Sequence, residues 1–246
     1  MLTVGVDLSA DPSKTGMCAI DWAGLEIVVH ERPVTDEQII DAVEQADVAG
    51  FDVPLGWPDG FIDAITAHRD RNGWPPVEVD PPKDREALRF RLTDLSEIAK
   101  GARPLSVSTD RIGVAAMRGA RLQNLLVARG VQVDRSGVAG AVVETYPASA
   151  LKAWGLQSSG YKGPANRPVL EGLIGEFAES TSVLGTTILA ESGAWTDDDF
   201  DSLVCACIAR AARRNQTLRP SSEHRARARR EGWIHTPTAT LGEVTS

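Results

Sequence analysis

The feature that most constrains this chain is a set of acidic residues at the ends of strongly apolar segments. Asp7, Asp52 and Glu144 each close a short run that is rich in valine or alanine. A carboxylate at the end of a buried strand is costly unless it is solvated, hydrogen-bonded or bound to a cation. Because open α/β sheets gather ligands at the carboxyl ends of their strands, the pattern predicts an acidic cluster at one sheet edge.

A second group of acids begins the strongest helical pattern of the chain. This helix is predicted after Thr196, where the helix dipole favours the negative charge of Asp197 and Asp199. Asp198 and Asp201 are three residues apart and therefore share a face. Asp201 also borders the apolar stripe of the helix, so we expect its side chain to point toward the sheet. The stripe consists of Phe200, Leu203, Val204, Cys207, Ile208 and Ala211.

The first fifty or so residues are typical of an α/β sheet in the order β-β-β-α-β. Short apolar runs predict a first strand, a hairpin around Ala23-Gly24 and a fourth strand that Pro54 ends, and a helical stripe predicts a helix before that last strand. The helix carries a capping box of Thr35 and Gln38. The predicted ranges are Leu2–Leu8, Thr15–Trp22, Leu25–His30, Asp36–Ala46 and Val48–Val53.

Residues 56–135 are interrupted by prolines and predict a helical insertion over one side of the sheet. Helical patterns occupy Arg85–Ala99 and Asp110–Arg129, the second with an N-cap at Ser108-Thr109-Asp110 and a C-cap at Gly130. A polar, arginine-rich segment is predicted from about 218 to 246, and we treat the whole chain as a single domain. Between these segments we predict a strand and two helices, at Gly140–Thr145, Pro147–Trp154 and Arg167–Ser180.

Composition excludes several classes of protein. No stretch approaches the roughly 20 apolar residues that span a bilayer, and three cysteines predict small buried hydrophobes in a reducing, cytoplasmic compartment. The net charge of −8 argues against nonspecific coating of nucleic acid. A local strip of arginines nevertheless predicts either a solvated face or a phosphate-binding surface. It consists of Arg210, Arg213, Arg214, Arg219, Arg225, Arg227, Arg229 and Arg230.

The acids favour Mg²⁺ or Mn²⁺, hard cations that prefer carboxylate and water oxygens. Two such ions about 4 Å apart activate water and stabilise a leaving oxygen in phosphoryl displacement. Zinc is disfavoured because the four histidines are scattered and no Cys-x-x-Cys pair occurs. The sequence also lacks a Gly-x-Ser-x-Gly elbow and a glycine-rich phosphate loop.

Each acid also has a structural interpretation. Asp7 and Asp52 are compatible with turn positions, and Glu144 with an ion pair to Arg91 or Arg167. Such pairing is the simplest alternative to metal binding, and both interpretations stay open from the residues alone.

Seven short segments, taken together and in order, resemble a bacterial and archaeal family catalogued as domain of unknown function 429. They are Gly5–Ser9, Phe51–Pro58, Arg91–Asp94, Glu144–Pro147, Tyr161-Lys162, Asp198–Asp201 and Glu231–Ile234. That family is described as predicted nucleases of the ribonuclease H fold. The resemblance implies a ribonuclease-H-like mixed sheet flanked by helices.

The resemblance also implies roles for individual residues. Asp7, Asp52 and the pair Asp198 and Asp201 would be metal ligands, and Glu144 a further ligand or a supporting group. Lys162 and Arg91 have no counterpart in the superfamily pattern; as basic residues beside an acidic site they predict binding of substrate phosphate, with surface salt bridges as the alternative. Asp52 stands where the superfamily commonly has glutamate, one methylene longer.

Three functions follow from these observations. The first is a metal-dependent nuclease with a nucleic-acid substrate. The second is a nucleotide-binding phosphotransferase of the actin and sugar-kinase type, which usually needs two such domains and a longer chain. The third is a non-catalytic nucleic-acid or protein binding module on the same fold. A homodimer is compatible with the sequence, and nothing in it requires one.

Overall fold

The computed structural model describes residues 1–70 and 86–246, which form a five-stranded mixed sheet with helices on both faces. The strand order is β3-β2-β1-β4-β5, with β2 antiparallel to β1 and β3, and β4 parallel to β1 and β5. This arrangement is α/β and ribonuclease-H-like, as predicted. The strands are β1 (Leu2–Asp7), β2 (Gly16–Asp21), β3 (Glu26–Val29), β4 (Val48–Asp52) and β5 (Val142–Glu144).

Helices fill the connections between the strands and follow the last strand. They are α1 (Asp36–Gln45), α2 (Asp59–Arg69), α3 (Leu92–Ala99), α4 (Gly113–Ala128), α5 (Pro147–Ala153), α6 (Arg167–Ser180), α7 (Gly185–Glu191), α8 (Asp197–Arg213), α9 (Arg225–Glu231) and α10 (Leu241–Thr245). Helices α2 to α4 occupy the predicted insertion. No helix within residues 1–70 and 86–246 is long and apolar enough to cross a membrane.

The two faces of the sheet differ because side chains alternate along each strand. Val4, Val6 and Phe51 pack on one face, against apolar residues of α1 and α4. On the other face, Gly5 and Gly50 meet α8. A Cβ atom at Gly5 would lie 1.9 Å from the Ser202 carbonyl oxygen, and one at Gly50 2.5 Å from that of Cys205. The glycines therefore allow the backbone of α8 to lie directly on the sheet.

Local signals in the sequence located the start of α1 and misplaced the start of α4. Both hydrogen bonds of the capping box at Thr35 and Gln38 are present, so α1 begins where predicted. The prediction of an N-cap at Ser108-Thr109-Asp110 is wrong, because α4 begins at Gly113. The Asp110 carboxylate instead accepts a hydrogen bond from the backbone amide of Ser106, at 2.7 Å. Asp110 thus closes the turn that precedes the helix.

The helix predicted at Arg85–Ala99 is interrupted within its described part, while Arg85 itself lies outside the described residues. Residues 86–89 are helical, the chain leaves the helix at Phe90 and Arg91, and α3 then begins at Leu92. Arg91 is extended here and nearly inaccessible, at 2% exposure. The break therefore lets a charged side chain enter the interior.

The arginine-rich segment after residue 218 also contributes to the interior. Ile234 forms a parallel bridge to Glu144 and so lies at the edge of the sheet beside β5. Glu231 is fully buried, and its two carboxylate oxygens accept the backbone amides of Asp59 and Leu92, at 2.7 and 2.8 Å. One carboxylate therefore holds the N-terminal ends of α2 and α3 together.

Candidate active site

Two aspartates stand side by side at the carboxyl edge of the sheet. Asp7 ends β1 and Asp52 ends β4, and the two are direct partners in the parallel pairing of these strands. Both follow a glycine by two residues, so they lie on the face that Gly5 and Gly50 open to α8. Both remain partly accessible to solvent. The register of the β1–β4 pairing therefore places these two acids next to each other, as predicted.

Helix α8 brings Asp201 to the same edge. Its side chain is fully buried, and one oxygen, Oδ1, accepts a hydrogen bond from the Tyr161 hydroxyl at 2.8 Å. Lys162 Nζ lies 2.5 Å from the other oxygen, Oδ2, as an ion pair. Apart from this ion pair, Oδ2 has no partner among the described residues. Asp201 therefore faces the sheet as predicted, and a lysine accompanies it.

The electrostatics of the edge reflect crowded negative charge. Burial raises the pKa of Asp7 well above its usual range, and Asp52 and Asp201 raise it further. Burial also raises the pKa of Asp52, to about 7, although Lys162 opposes the shift. Partial burial disfavours the charge on Lys162, but Asp201, Asp7 and Asp52 outweigh it and raise the pKa of the ammonium group. The cluster therefore favours added positive charge.

Asp198 lies at the rim of this cluster rather than inside it. Its side chain is 33% exposed, and Arg32 Nη2 lies 3.7 Å from its carboxylate. Burial and the neighbouring Asp197 raise the pKa of Asp198, and Arg32 partly offsets this rise. Asp199 completes a capping box with Thr196 and pairs with Arg32 at 2.6 Å, so its interpretation as a helix-start acid is confirmed.

Glu144 points to the opposite face of the sheet from Asp7 and Asp52. Its partner in β4 is Phe51, the residue before Asp52, and neighbouring residues of a strand face opposite ways. Its Oε1 and Oε2 accept hydrogen bonds from Arg91 at 2.7 and 2.8 Å, and Oε2 also accepts the Leu55 amide at 2.9 Å. The structure thus gives Glu144 an ion pair with Arg91, one of the two arginines considered for it.

Arg91 is itself saturated by this arrangement. A second fork of its guanidinium binds Asp94 at 2.8 and 3.0 Å, and Nη1 also donates to the Glu231 carbonyl oxygen at 3.1 Å. Glu144 and Asp94 raise the pKa of Arg91 against the opposing effect of burial. These five hydrogen bonds use all five N–H donors of the guanidinium, so the side chain is fully engaged with the protein.

The edge opens into a cavity of 330 Å³. Its polar lining consists of Asp7, Asp52, Arg91, Asp94, Glu144, Thr145, Tyr146 and Lys162. Its apolar wall consists of Leu8, Val53, Pro54, Pro104, Leu105, Ile112, Ala115 and Ile234. Small-molecule sites span about 300–1,000 Å³, so the volume suits a ligand group of modest size. The insertion supplies part of this wall, through Pro104 and Leu105 before α4 and through Ile112 and Ala115 at the start of that helix.

No preformed metal cage is present in the described part of the chain. Among residues 1–70 and 86–246, no group of three or more His, Cys, Asp and Glu side chains has the arrangement of a metal-binding cluster. Asp7, Asp52 and Asp201 nevertheless influence each other electrostatically. What the structure brings together is a pair of strand-end aspartates, with a third carboxylate that already contacts an ammonium group.

Comparison with known families agrees with the motifs of this edge. Residues 5–225 match the model of a family described as a protein of unknown function, DUF429. The chain belongs to the DUF429 family. Neither a curated protein nor a solved structure matches it. The description of the matching DUF429 model names no activity.

Sequence reasoning missed two tyrosines at the DUF429 site. Tyr161 binds Asp201, and Tyr146 lines the cavity, where burial and Asp52 raise the pKa of its hydroxyl. Neither follows an apolar period, because Tyr161 lies in a loop and Tyr146 precedes a helix. A usable signal is the sequence Gly160-Tyr161-Lys162-Gly163, whose two glycines both have positive φ. They form the turns that direct the tyrosine inward.

The arginine strip makes many contacts within the protein. Six of its eight members contact groups of the chain itself. Arg210 stacks on Trp22, Arg214 and Arg219 donate to carbonyl oxygens near helix ends, and Arg227, Arg229 and Arg230 pair with Glu231, Asp134 and Asp59. Much of its charge therefore supports the fold, and a role in phosphate binding stays a prediction.

Proposed function

We propose that this DUF429 protein is a metal-dependent nuclease that hydrolyses phosphodiester bonds of RNA or DNA at the carboxylate edge. The observation that carries the proposal is the register of β1 and β4, which makes Asp7 and Asp52 direct partners. Two carboxylates at paired positions of neighbouring strands offer oxygen ligands from rigid elements rather than from loops.

The donor chemistry fits Mg²⁺ or Mn²⁺. All candidate ligands are carboxylate oxygens, and burial together with mutual repulsion raises the pKa of Asp7 and Asp52. A divalent cation would relieve this repulsion, and Asp198 at the rim would add a further carboxylate beside it. A metal bound here would supply Lewis acidity toward water and a phosphate oxygen.

The remaining roles belong to side chains of the chain itself. Lys162 is 55% exposed and cationic, so its ammonium group can donate to a phosphate oxygen at the mouth of the cavity. The apolar wall excludes water from the opposite side and offers a surface for a sugar or base. Glu144 and Arg91 also line the cavity, but they bind each other and hold the insertion against the sheet, so we assign them a supporting role rather than metal or phosphate binding.

The proposal is tested by calorimetric titration of Mn²⁺ into the wild type and Asp7→Asn, with hydrolysis of labelled RNA and DNA measured in parallel. We expect saturable binding and hydrolysis in the wild type and the loss of both in Asp7→Asn, which changes charge without changing volume. Asp21→Asn is the matched control, because Asp21 ends β2 at the opposite edge of the sheet. It should bind Mn²⁺ and cleave like the wild type.

Other outcomes are equally informative. Unchanged binding in Asp7→Asn would show that the ligands lie elsewhere. Metal binding with no hydrolysis of single-stranded, duplex or hybrid substrates would favour the non-catalytic binding module.

A further inference from the structure

Asp201 differs from the other two aspartates because both of its oxygens have partners. Oδ1 accepts the Tyr161 hydroxyl at 2.8 Å, and Oδ2 lies 2.5 Å from the ammonium group of Lys162. Such a carboxylate has its charge balanced in place, without a metal. The ion pair also occupies the oxygen that would otherwise be open to a cation.

The position of Lys162 is set by the backbone. The adjacent Tyr161 is 1% exposed and anchored in the core, where its ring packs edge-on to Phe200 at a centroid distance of 6.0 Å. Gly160 and Gly163, with φ of +79° and +88°, bracket the two residues. The lysine therefore reaches the edge from a fixed point, while over half of its side chain remains exposed.

A charge count shows what this arrangement allows. Asp7, Asp52 and Asp201 carry three negative charges when ionised, and Lys162 supplies one positive charge. One divalent ion would bring the four side chains to neutrality, whereas two would leave an excess of two positive charges in a partly buried site. The charge balance of these four side chains therefore suits a single ion, because the other nearby acids have their own counter-ions: Arg32 beside Asp198, and Arg91 between Glu144 and Asp94.

We propose that Lys162 is a tethered cation at Asp201, so that the site holds one divalent ion at Asp7 and Asp52 instead of two. The ammonium group takes the place that a second ion has in a two-metal nuclease, and it faces the cavity where a substrate phosphate would lie. This inference rests on the proposed function, because it assumes that Asp7 and Asp52 are ligands.

The inference predicts opposite effects on metal binding and on turnover. Lys162→Met frees Oδ2 of Asp201 and makes the edge more negative, so Mn²⁺ should bind more strongly. Turnover should fall, because the charge next to the phosphate is lost. A lysine that only stabilised the fold would not produce this pair of opposite changes.

The experiment counts Mn²⁺ by calorimetry and electron paramagnetic resonance in metal-free protein. We expect one ion per chain in the wild type and in Lys162→Arg. Lys162→Met should bind two ions, or one ion at least about tenfold more tightly (a tenfold change in an equilibrium constant is about 1.4 kcal/mol). Lys152→Met is the control for net charge, because Lys152 only donates to the carbonyl oxygens of Lys100 and Gly101. It should match the wild type.

Two ions in the wild type, or equal binding by Lys162→Met and Lys152→Met, would overturn the inference while leaving the proposed function standing. No Mn²⁺ binding to the wild type would overturn both. If Lys162→Met fails to fold, as judged by its melting curve, Lys162→Met/Asp201→Asn removes both charges of the pair. This variant should still bind one ion with wild-type affinity, and a second ion or lost binding would refute the inference.

Discussion

The buried fork of Arg91 gives the sharpest prediction about stability. Arg91, Asp94 and Glu144 are each at most 2% exposed, and the guanidinium binds both carboxylates through paired hydrogen bonds. Replacing Arg91 with methionine keeps much of the side-chain volume but leaves two buried carboxylates with no counter-charge. Breaking one buried ion pair costs about 3–5 kcal/mol. Because two acids lose the same partner, we expect Arg91→Met to cost about 5 kcal/mol.

Glu144→Gln is the milder perturbation at this fork. Arg91 keeps Asp94 as its counter-charge, and the amide oxygen of glutamine still accepts one hydrogen bond. We expect the free energy of unfolding to fall by about 2–3 kcal/mol. This sum combines the loss of a hydrogen bond to a charged group with the poorer match of the glutamine NH2 group to the donors around it. The double variant Arg91→Met/Glu144→Gln should lose less than the sum of the single losses, by about 1–2 kcal/mol, because its second change removes a charge that the first has left unpaired.

Urea unfolding at neutral pH, followed by far-ultraviolet circular dichroism, measures all three free energies of unfolding. Arg69→Met is the control, since Arg69 forms an exposed ion pair with its neighbour Asp70 and its side chain is 72% exposed. Its unfolding midpoint should equal that of the wild type. If Arg91→Met unfolds within about 1 kcal/mol of the wild type, the buried fork does not hold the insertion to the sheet, and the reasoning fails.

Two further predictions concern the carboxylate edge and the sheet below it. Burial raises the pKa of Asp52 from 3.8 to about 7. Between these two pH values the folded, metal-free protein therefore holds a proton that the unfolded chain has released. Its free energy of unfolding should fall as the pH rises from about 4 through about 7. Asp52→Asn should flatten this slope in urea midpoints measured across that window, and an unchanged slope would contradict the assignment. Gly5→Ala should lower the free energy of unfolding by about 3 kcal/mol or more, because the added Cβ would lie 1.9 Å from the Ser202 carbonyl oxygen in α8. Gly172 in α6 is the control, because a Cβ there meets nothing within 4 Å, and Gly172→Ala should raise the free energy of unfolding by about 0.5–1 kcal/mol. If the two changes shifted the melting temperature equally, the close approach of α8 to the sheet would be refuted.

The sequence was informative wherever a local pattern determined the outcome. Short apolar runs located β1 and β4 and their terminal acids, and the parallel pairing of the two strands then places Asp7 beside Asp52. The apolar stripe of α8 likewise oriented Asp201 toward the sheet. These predictions succeeded because the period of a strand or helix determines which way a side chain points.

Register and loop geometry were not accessible in the same way. Glu144 looked equivalent to the other strand-end acids, but β5 pairs it with Phe51, and a shift of one residue turns a side chain to the other face. Lys162 lies 39 residues before Asp201, in a loop whose path no periodicity describes. Its contact with that carboxylate depends on the turns at Gly160 and Gly163. Pairings of this kind emerge only from the packed structure.

The carboxylate of Glu231 has a consequence for how the molecule is completed during synthesis. It anchors the amides of Asp59 and Leu92, yet it emerges 139 residues after Leu92. At about 5–20 residues per second, the ribosome needs on the order of ten seconds or more to cover that distance. Until then, α2 and α3 lack their shared N-terminal partner, and β5 lacks Ile234 at its side. A nascent chain therefore carries Asp7 and Asp52 long before Ile234 can complete the cavity wall beside them, and a premature stop near residue 225 would release a protein that lacks this part of the wall.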